Sequence, residues 1–212
     1  MLYVKSFEFN PLQENTYILY NDINDCIIID PGCYFDSEKE ELYRFIHQNK
    51  LLPKFLLNTH CHLDHVFGNK DVAAKYNLPL HMHKNEIPVL EQAAAAGLMY
   101  NVPFDNYTGE QLYLQENTTI SLGNDKLLIL LTPGHSPGSL SFYSSANNFV
   151  IGGDVLFKNS IGRSDLPGGN HNQLITSIKQ QLFTLPDNTI VYSGHGPKTT
   201  IGQEKATNPF LQ

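Results

Sequence analysis

The chain has 212 residues, of which 41% are hydrophobic and 17% are charged, and its formal net charge is −7 at pH 7. A chain of this length buries a large core without cross-links, and three cysteines without paired spacing do not predict a disulfide framework. The acidic balance argues against nucleic acid as a partner, and no apolar run approaches the ~20 residues of a membrane span.

The N-terminal third begins with strand-like segments. Met1–Phe9 alternates like a β-strand and lacks the basic start, apolar core and cleavage site of a signal peptide, so we expect a cytoplasmic location. Further strand-like runs occupy residues 15–20 and 26–29, and the turn-rich stretch 21–25 between them predicts a hairpin. We therefore expect an antiparallel sheet at the start of the fold.

An acidic residue and a helix follow the third run. Asp30 stands directly before Pro31, and its carboxylate is expected either to cap the following turn or to orient a histidine of a metal site. The sequence from Ser37 to Glu40 has the form of a capping box, which predicts a helix that starts there. His47 lies near the polar end of that helix and is expected to be exposed and not to bind metal.

A dense group of donors follows the short apolar run 55–58, which predicts a buried strand. Residues 59–65 contain three histidines and a carboxylate, namely His60, His62, Asp64 and His65. Imidazoles and carboxylates are ligands of zinc and of non-haem iron, and this segment offers more donors than one tetrahedral ion accepts. The segment therefore predicts two metal ions, whereas the alternative is a set of ordinary hydrogen-bonded polar residues. Cys61 is expected to point away from the ligands as a small buried side chain.

The middle of the chain predicts mainly helix and loop. We expect a helix at 70–76, a strand at 78–83 whose His81 and His83 are not ligands, and a helix at 84–97 that ends at Gly97. Residues 98–110 predict a loop with several large side chains. These side chains either form a substrate wall or attach the loop to the core.

The C-terminal half predicts a second sheet and a helix. Strands are expected at 118–122, 127–132, 139–144, 148–151 and 189–193, and a helix at 172–182. His135, Asp154 and His195 each follow one of these strands directly. Donors at several strand ends are typical of a metal cleft at one edge of a fold. No linker or low-complexity tract divides residues 1–212, which predicts a single domain.

These motifs together resemble the metallo-β-lactamase superfamily across most of the chain. The resemblance is carried by His60-x-His62-x-Asp64-His65, by His135 in His-Ser-Pro-Gly, by Asp154 in Gly-Gly-Asp and by His195 in Gly-His-Gly. Asp30 in Asp-Pro-Gly is similar to the first motif of that superfamily. The resemblance implies an α+β fold, a four-layer αββα sandwich with the metals between the edges of two sheets.

The resemblance also implies how the ligands are divided. A first metal would be held by His60, His62 and His135, and a second by Asp64, His65 and His195, with Asp154 bridging the two. The cofactors would be two divalent ions, zinc in the first place, with iron or manganese as alternatives. Bound in this way, they lower the pKa of a shared water from about 15.7 toward about 7. Asp64 would also orient the hydroxide.

Within the superfamily, the sequences around Asp154 and Gly162-Arg163-Ser164-Asp165 resemble glyoxalase II and its short relatives. The implied reaction is hydrolysis of a small acyl thioester of the S-lactoylglutathione type. Arg163 matches a basic residue near the glutathione part, although an ion pair with Asp165 is an equal alternative. The full-length enzymes carry a C-terminal helical domain for further substrate contacts, whereas this sequence ends soon after His195, so weak dependence on glutathione is expected.

Two other functions stay open at this stage. Persulfide dioxygenases of the same fold use one iron and share a loop similar to Gly162–Asp165, and a hydrolase of another ester or a lactone would use the same metal ligands. The expected partner in either case is a small molecule, with neither nucleic acid nor a membrane involved. Metal content separates thioester hydrolysis from persulfide dioxygenation, because two zinc-like ions favour hydrolysis and one iron favours the dioxygenase.

Overall fold

A computed structural model describes residues 1–212 and contains two six-stranded sheets. The first sheet contains β1 (Leu2–Phe9), β2 (Glu14–Asn21), β3 (Asp25–Ile29), β4 (Leu52–Leu57), β5 (Leu80–His83) and β6 (Gln111–Leu114), side by side in that order. Its first three strands are antiparallel, as the predicted hairpin requires, and the next three continue in parallel from β3.

The second sheet is built from the C-terminal half. The remaining strands are β7 (Thr119–Leu122), β8 (Asp125–Leu131), β9 (Leu140–Ser144), β10 (Phe149–Gly153), β11 (Leu156–Phe157), β12 (Ser160–Ile161), β13 (Ile190–Ser193) and β14 (Thr199–Thr200). β11 and β12 form a small hairpin, and the other six make a sheet in the order β14-β13-β10-β9-β8-β7. β10 and β13 are parallel neighbours, so their C-terminal ends meet at the same edge.

Six helices flank the sheets. They are α1 (Asp36–Gln48), α2 (Leu63–Val66), α3 (Asn69–Tyr76), α4 (Ile87–Met99), α5 (His171–Ser177) and α6 (Ile201–Thr207). A 3₁₀ turn at Lys84–Glu86 leads into α4, and a π-helical turn at Ile178–Leu182 extends α5. None of these helices is both long enough and apolar enough to cross a membrane.

Three apolar layers hold the elements together as an αββα sandwich, which confirms the predicted fold class. Alternation along β3 shows how one strand serves two layers: Ile28 faces the cluster that contains Leu42 of α1, whereas Ile27 and Ile29 face the second sheet. The third layer packs β10 and β13 against α5 and α6, with Leu174 fully buried in it. Because both faces of these sheets are covered, interior strands such as β3, β8 and β10 contain nearly continuous apolar runs.

Two of the predicted helix boundaries are wrong for physical reasons. α1 begins at Asp36, and Glu38 accepts hydrogen bonds from the backbone N–H groups of Tyr34 and Phe35 at 2.8 and 3.0 Å, so Ser37 is not the cap. α4 continues through Gly97 to Met99. A Cβ at Gly97 would lie 2.8 Å from the carbonyl oxygen of Val102, so this glycine permits close approach of the next segment instead of ending the helix.

The large side chains at the end of α4 and in the segment after it fall into two sets. Met99 and Tyr100 line a large cavity and are mostly exposed. Phe104 packs edge-on against Phe67 with ring centroids 4.8 Å apart, and the buried Tyr107 donates a hydrogen bond to the carbonyl oxygen of Glu110. The first two side chains thus border a cavity, whereas the last two attach the segment to the core.

Candidate metal centre

The seven predicted ligands meet where the two sheets share an edge. His60 and His62 lie in the segment between β4 and α2, Asp64 and His65 lie in α2, His135 lies between β8 and β9, Asp154 follows β10 and His195 follows β13. A backbone hydrogen bond of 2.8 Å from Leu140 N–H to the Thr59 carbonyl joins the two sheets beside this point. Carboxyl ends of parallel strands commonly meet in such a crevice, which explains why distant residues converge here.

Three imidazoles form the first donor group. Nδ1 of His62 lies 2.8 Å from Nε2 of His135, and the same Nε2 lies 3.2 Å from Nε2 of His60. All three rings meet at steep angles, with centroids 4.5 to 4.8 Å apart. Three ring nitrogens that point at one place form a set of neutral donors for one cation.

Two imidazoles and a carboxylate form the second donor group. Oδ2 of Asp64 lies 3.1 Å from Nε2 of His195 and 3.8 Å from Nε2 of His65. The approach of these groups needs Gly194, because a Cβ there would meet the ring of His65 at 2.8 Å and would also clash with the carboxylate of Asp154. A glycine at this position therefore brings the backbone close to the donors.

The carboxylate of Asp154 lies between the two groups. Its Oδ2 is 3.6 Å from Nε2 of His135 in the first group and 3.5 Å from Nε2 of His195 in the second. Its Oδ1 is 3.5 Å from Nε2 of His65. One carboxylate thus faces both donor groups, which is the arrangement that a ligand shared by two cations requires.

Two buried polar atoms in this centre have no hydrogen-bond partner, and they fit a cation. Nε2 of His65 and Oδ1 of Asp154 are both inaccessible and unpaired, although they face each other. Leaving such atoms without a partner costs on the order of 1 to 3 kcal/mol each. A divalent ion between them would satisfy both atoms, so the residues present fit the metals that the donor set indicates.

Hydrogen bonds on the far side hold His65 in place. Asp30 Oδ2 lies 3.1 Å from Nδ1 of His65 and accepts a hydrogen bond from the Thr59 hydroxyl, while Oδ1 accepts from the Thr59 N–H at 2.7 Å and from the Asn58 amide at 3.1 Å. A proton on Nδ1 leaves the lone pair of Nε2 facing the centre. Asp30, whose backbone is left-handed with φ of 49°, therefore contacts a histidine of the centre, as one of its two predicted roles requires.

Backbone carbonyl oxygens hold the imidazole rings of His135 and His195 in place. Nδ1 of His135 lies 2.7 Å from the carbonyl oxygen of Arg163, and Nδ1 of His195 lies 3.1 Å from that of Gln13. Since a carbonyl only accepts, each ring nitrogen there carries the proton, and Nε2 is left as the donor to a metal. The contribution of Arg163 visible here comes from its backbone.

The first group is held in the neutral form that metals bind. Burial lowers the pKa of His60 well below its usual range and lowers that of His62 to about 3, and the neighbouring imidazoles add to both effects. Burial also lowers the pKa of His135. Protons therefore do not compete with a metal at these three rings near neutral pH.

In the second donor group the pKa shifts favour the charged forms of the side chains. Burial opposes the charged form of His65, but the carboxylates of Asp64 and Asp154 outweigh it and raise the pKa well above its usual range. The pKa of His195 is raised, against burial, by its hydrogen bond to Asp64. Burial opposes ionisation of Asp154 too, yet the charge of His65 keeps its pKa below the usual range. In the absence of metal, the shifts favour positive charge on these histidines, which offsets the negative charge of the carboxylates.

Two buried glutamates near the centre escaped the sequence analysis. Glu86 is fully buried and accepts hydrogen bonds from Cys61 N–H at 2.8 Å and from both the Ser136 hydroxyl and Gly138 N–H at 2.6 Å. It thus connects the loop of His60 and His62 to the loop of His135. No local motif reveals this role, because its partners lie 25 to 52 positions away.

Glu14 lies at the end of β2 that faces the centre. Its Oε1 is unpaired and 3.8 Å from Nδ1 of His65, and its Oε2 accepts from the Thr16 hydroxyl at 2.9 Å. Burial raises the pKa of Glu14 well above its usual range, so the neutral carboxyl is favoured. Its position in the N-terminal strand gave no sequence signal for a place beside the ligands.

The residues expected not to bind metal lie outside both donor groups. Cys61 is buried, with its sulfur 3.4 Å from that of Met82, and His47 is exposed at the end of α1. His81 and His83 belong to β5 and to no group of potential ligands. Their exclusion from the ligand set stays a prediction for metal analysis.

Arg163 forms the ion pair that the sequence left as an alternative. Its guanidinium donates two hydrogen bonds to Asp165 at 2.8 and 2.9 Å, and both side chains are exposed. Arg163 also lines the large cavity, so a substrate contact stays a prediction. Any such contact would compete with the carboxylate of Asp165.

A cavity of about 1440 Å³ opens over the donor groups. His62, Asp64, His135, Asp154 and His195 are at its base, and α4 and the segment 166–168 border it. Since five of the seven predicted ligands face this one cavity, a molecule bound there would reach the metals.

Comparison with known proteins identifies related chains. The family model described as "Metallo-beta-lactamase superfamily" matches residues 9–195. The probable metallo-hydrolase YqgX of Bacillus subtilis is 39% identical over 95% of this chain and 93% of its own length. The hydroxyacylglutathione hydrolase GloC of Haemophilus influenzae is 37% identical over 94% of this chain and 93% of its own length.

Solved structures agree in fold along the whole chain. A crystal structure of BLEG-1 B3 metallo-beta-lactamase has a TM-score of 0.91 and 38% identity, covering 99% of this chain and all of that one. A crystal structure of TTHA1623 in a di-iron-bound form has a TM-score of 0.88 and 36% identity, covering 98% of this chain and all of that one. The matches cover nearly all of both chains in each case, so the likeness includes both sheets and the centre between them.

Proposed function

Because the chain belongs to the metallo-beta-lactamase superfamily and is a metal-dependent hydrolase, we propose that it cleaves small acyl thioesters with two divalent ions, zinc foremost. The observation that carries this proposal is the carboxylate of Asp154, which faces both donor groups at the base of an open cavity. The relative GloC is named a hydroxyacylglutathione hydrolase, and TTHA1623 is described in a di-iron-bound form. The first supports the substrate class, and the second supports a dinuclear centre.

The residues divide into two sets of ligands in this proposal. His60, His62 and His135 would hold one ion, Asp64, His65 and His195 would hold the other, and Asp154 would serve both. Bound there, the ions would supply hydroxide near neutral pH and would polarise the carbonyl that it attacks. The pairing of outer ring nitrogens with Asp30 and with backbone carbonyls keeps the donor nitrogens aimed inward.

The remaining steps of the proposed reaction involve Asp64 and the thiolate leaving group. The carboxylate of Asp64 lies against the cavity, so it accepts a hydrogen bond from the attacking water and orients it toward the carbonyl. A thiol has a pKa of about 8.5, so the thiolate leaves without a general acid. Hydrolysis of a thioester at this site therefore needs no general acid for the leaving group.

The charges around the cavity support weak recognition of glutathione. Glutathione carries carboxylates, and the only cationic side chains that line the cavity are Lys84 and Arg163. Arg163 is already paired with Asp165, so its net attraction for a substrate carboxylate is small, and Lys84 is left as the one lining cation without an ion pair. We therefore expect the acyl group, and not the carrier, to determine most of the catalytic efficiency.

The test compares zinc-loaded protein on lactoyl thioesters of glutathione and of a small neutral thiol. A charged contact is worth about 1 to 3 kcal/mol, or roughly tenfold to a hundredfold in kcat/KM. We expect less than about tenfold between the carriers, both in the parent and in Arg163→Ala. Arg44→Ala is the matched control, because Arg44 is exposed on α1 and does not line the cavity.

Three results would change the proposal. A strong glutathione preference that Arg163→Ala abolishes would establish a dedicated glutathione enzyme. Ring opening of lactones or of β-lactams, without thioester cleavage, would move the assignment to another hydrolase, and BLEG-1 is the reason to include the β-lactams. Oxygen consumption on glutathione persulfide by iron-loaded protein, with no thioester cleavage, would establish the dioxygenase.

A further inference from the structure

The cavity extends far beyond the donor groups. Its volume of about 1440 Å³ exceeds the roughly 300 to 1,000 Å³ that ordinary small-molecule sites occupy. A lactoyl group on the metals would fill only the base. The walls above the base therefore contact whatever part of the substrate lies beyond the reacting carbonyl.

One wall is a face of α4 made of small and apolar side chains. Pro88, Gln92, Ala95 and Met99 recur at helical spacing along this face, and all four are exposed to the cavity side of the molecule. Gln92 is the only member that can form hydrogen bonds. The small side chain of Ala95 leaves room near the middle of the wall, while Met99, which is 83% exposed, borders the rim.

A second set of apolar side chains, from other elements, also lines the cavity. Leu12 comes from the turn between β1 and β2, Phe157 comes from the β11–β12 hairpin, and Leu166 and Pro167 come from the segment before α5. Leu12 exposes 41% of its surface although it borders a concave site. Both sets of apolar side chains are exposed to water in the free protein. A nonpolar ligand that covers them removes this surface from water, which favours binding.

Building on the function proposed above, we propose that this cleft binds an unbranched hydrocarbon chain on the acyl side, so that the preferred substrates are medium-chain acyl thioesters. The same cavity is lined by donor residues and by the apolar walls, so a chain attached to the reacting carbonyl has room to extend along them. Glutathione bears charges that the apolar side chains of these two walls cannot pair, and the cations of the cavity are limited to Lys84 and Arg163, whereas the hydrocarbon part of an acyl chain is wholly apolar. The acyl group is therefore the part that matches the walls.

The experiment uses zinc-loaded protein and straight-chain acyl thioesters of N-acetylcysteamine, from acetyl to decanoyl. Burial of one methylene is worth about 0.8 kcal/mol, which corresponds to about fourfold in kcat/KM. We expect an increase of this order per methylene until the chain reaches the rim of the cleft, and then a plateau. A profile that is flat or falls from acetyl onward would overturn the proposal.

Two adjacent residues provide a matched pair of variants. Met99→Glu places a carboxylate in the cleft, whereas Leu98→Glu makes the same change in charge at a residue that is 68% exposed and does not line it. Met99→Glu should lower kcat/KM for decanoyl about tenfold more than it lowers kcat/KM for acetyl. Leu98→Glu should change neither value. Equal losses in both variants would show a general charge effect and would overturn the proposal.

A binding measurement separates this inference from the proposed hydrolysis. The thioether S-decyl-N-acetylcysteamine has no carbonyl to cleave, and calorimetry on the metal-free protein should show its binding with a negative heat-capacity change. Binding that Met99→Glu weakens would support the cleft even if no thioester were hydrolysed. Hydrolysis of acetyl thioester without thioether binding would overturn the cleft and leave the proposed function standing.

Discussion

Replacement of Glu86 by glutamine tests how the two ligand loops are held together. The carboxylate accepts three hydrogen bonds, one from the loop of His60 and His62 and two from the loop of His135. Glutamine has the same shape but only one accepting oxygen. If that oxygen faces Ser136 and Gly138, the amide NH₂ faces the N–H of Cys61, and that buried donor loses its partner.

The magnitude follows from those three hydrogen bonds. An unsatisfied buried N–H costs about 1 to 3 kcal/mol, and each of the two remaining hydrogen bonds weakens by about 1 kcal/mol when the acceptor loses its charge. Burial raises the pKa of Glu86, so removal of the charge recovers part of the desolvation cost. We expect a net loss of about 2 kcal/mol in the free energy of unfolding.

Metal affinity should fall as well, because both loops carry ligands. Loss of a group that orients metal ligands typically costs 10- to 100-fold in affinity. The assays are urea unfolding of the metal-free protein and competition for zinc with a chelator. Glu91→Gln is the matched control, because Glu91 is exposed on α4 and has no hydrogen bond from its side chain to either loop. Wild-type stability and zinc affinity in Glu86→Gln would refute the view that this carboxylate positions the loops.

Three further predictions concern the centre directly. Asp154→Asn should lose metal occupancy and nearly all turnover while the metal-free fold is retained, and full activity with two bound metals would contradict the assignment of the bridge. Cys61→Ala and His47→Ala should each leave the metal stoichiometry unchanged by elemental analysis, and a lost ion in either would show that the ligand set is wrong. Zinc affinity should fall as the pH is lowered from about 8 to about 6, because the pKa values of His65 and His195 are both raised and protons compete with the metal at these rings, whereas His62, with a pKa of about 3, stays neutral. Affinity that is constant over that range would contradict the raised pKa values of the second donor group.

Four of the seven predicted ligands could be recognised from the sequence because they are close in the chain. His60, His62, Asp64 and His65 follow one apolar run, and a short segment after a strand can bring them to one place without long-range information. His135, Asp154 and His195 were also recognisable, because each follows an apolar strand within a short glycine-containing motif. The αββα fold followed from the resemblance that these motifs carry together.

Local pattern failed where a distant contact determines the structure. Glycine commonly follows the end of a helix, so Gly97 was predicted to end this one. α4 nevertheless continues through Gly97, and the backbone of Val102 packs against that glycine. Strand β6 (Gln111–Leu114) follows the expected loop 98–110 and was not predicted, and it exists because its backbone pairs with β5 along Leu80–His83. In both cases the partner is supplied by the fold and is not visible within the segment itself.

Residue type and spacing fix the number of imidazoles and carboxylates and the strands that carry them. How these donors are held and charged depends on the folded chain. Glu86 accepts hydrogen bonds from residues 25 and 50 positions away, and the pKa values of His62 and His195 move in opposite directions, because burial prevails at His62 whereas at His195 the hydrogen bond to Asp64 and the charge of Asp154 together outweigh burial. The physical reason is that hydrogen bonding, desolvation and Coulomb interactions depend on distances in space, which the folded chain sets between residues that are far apart in sequence.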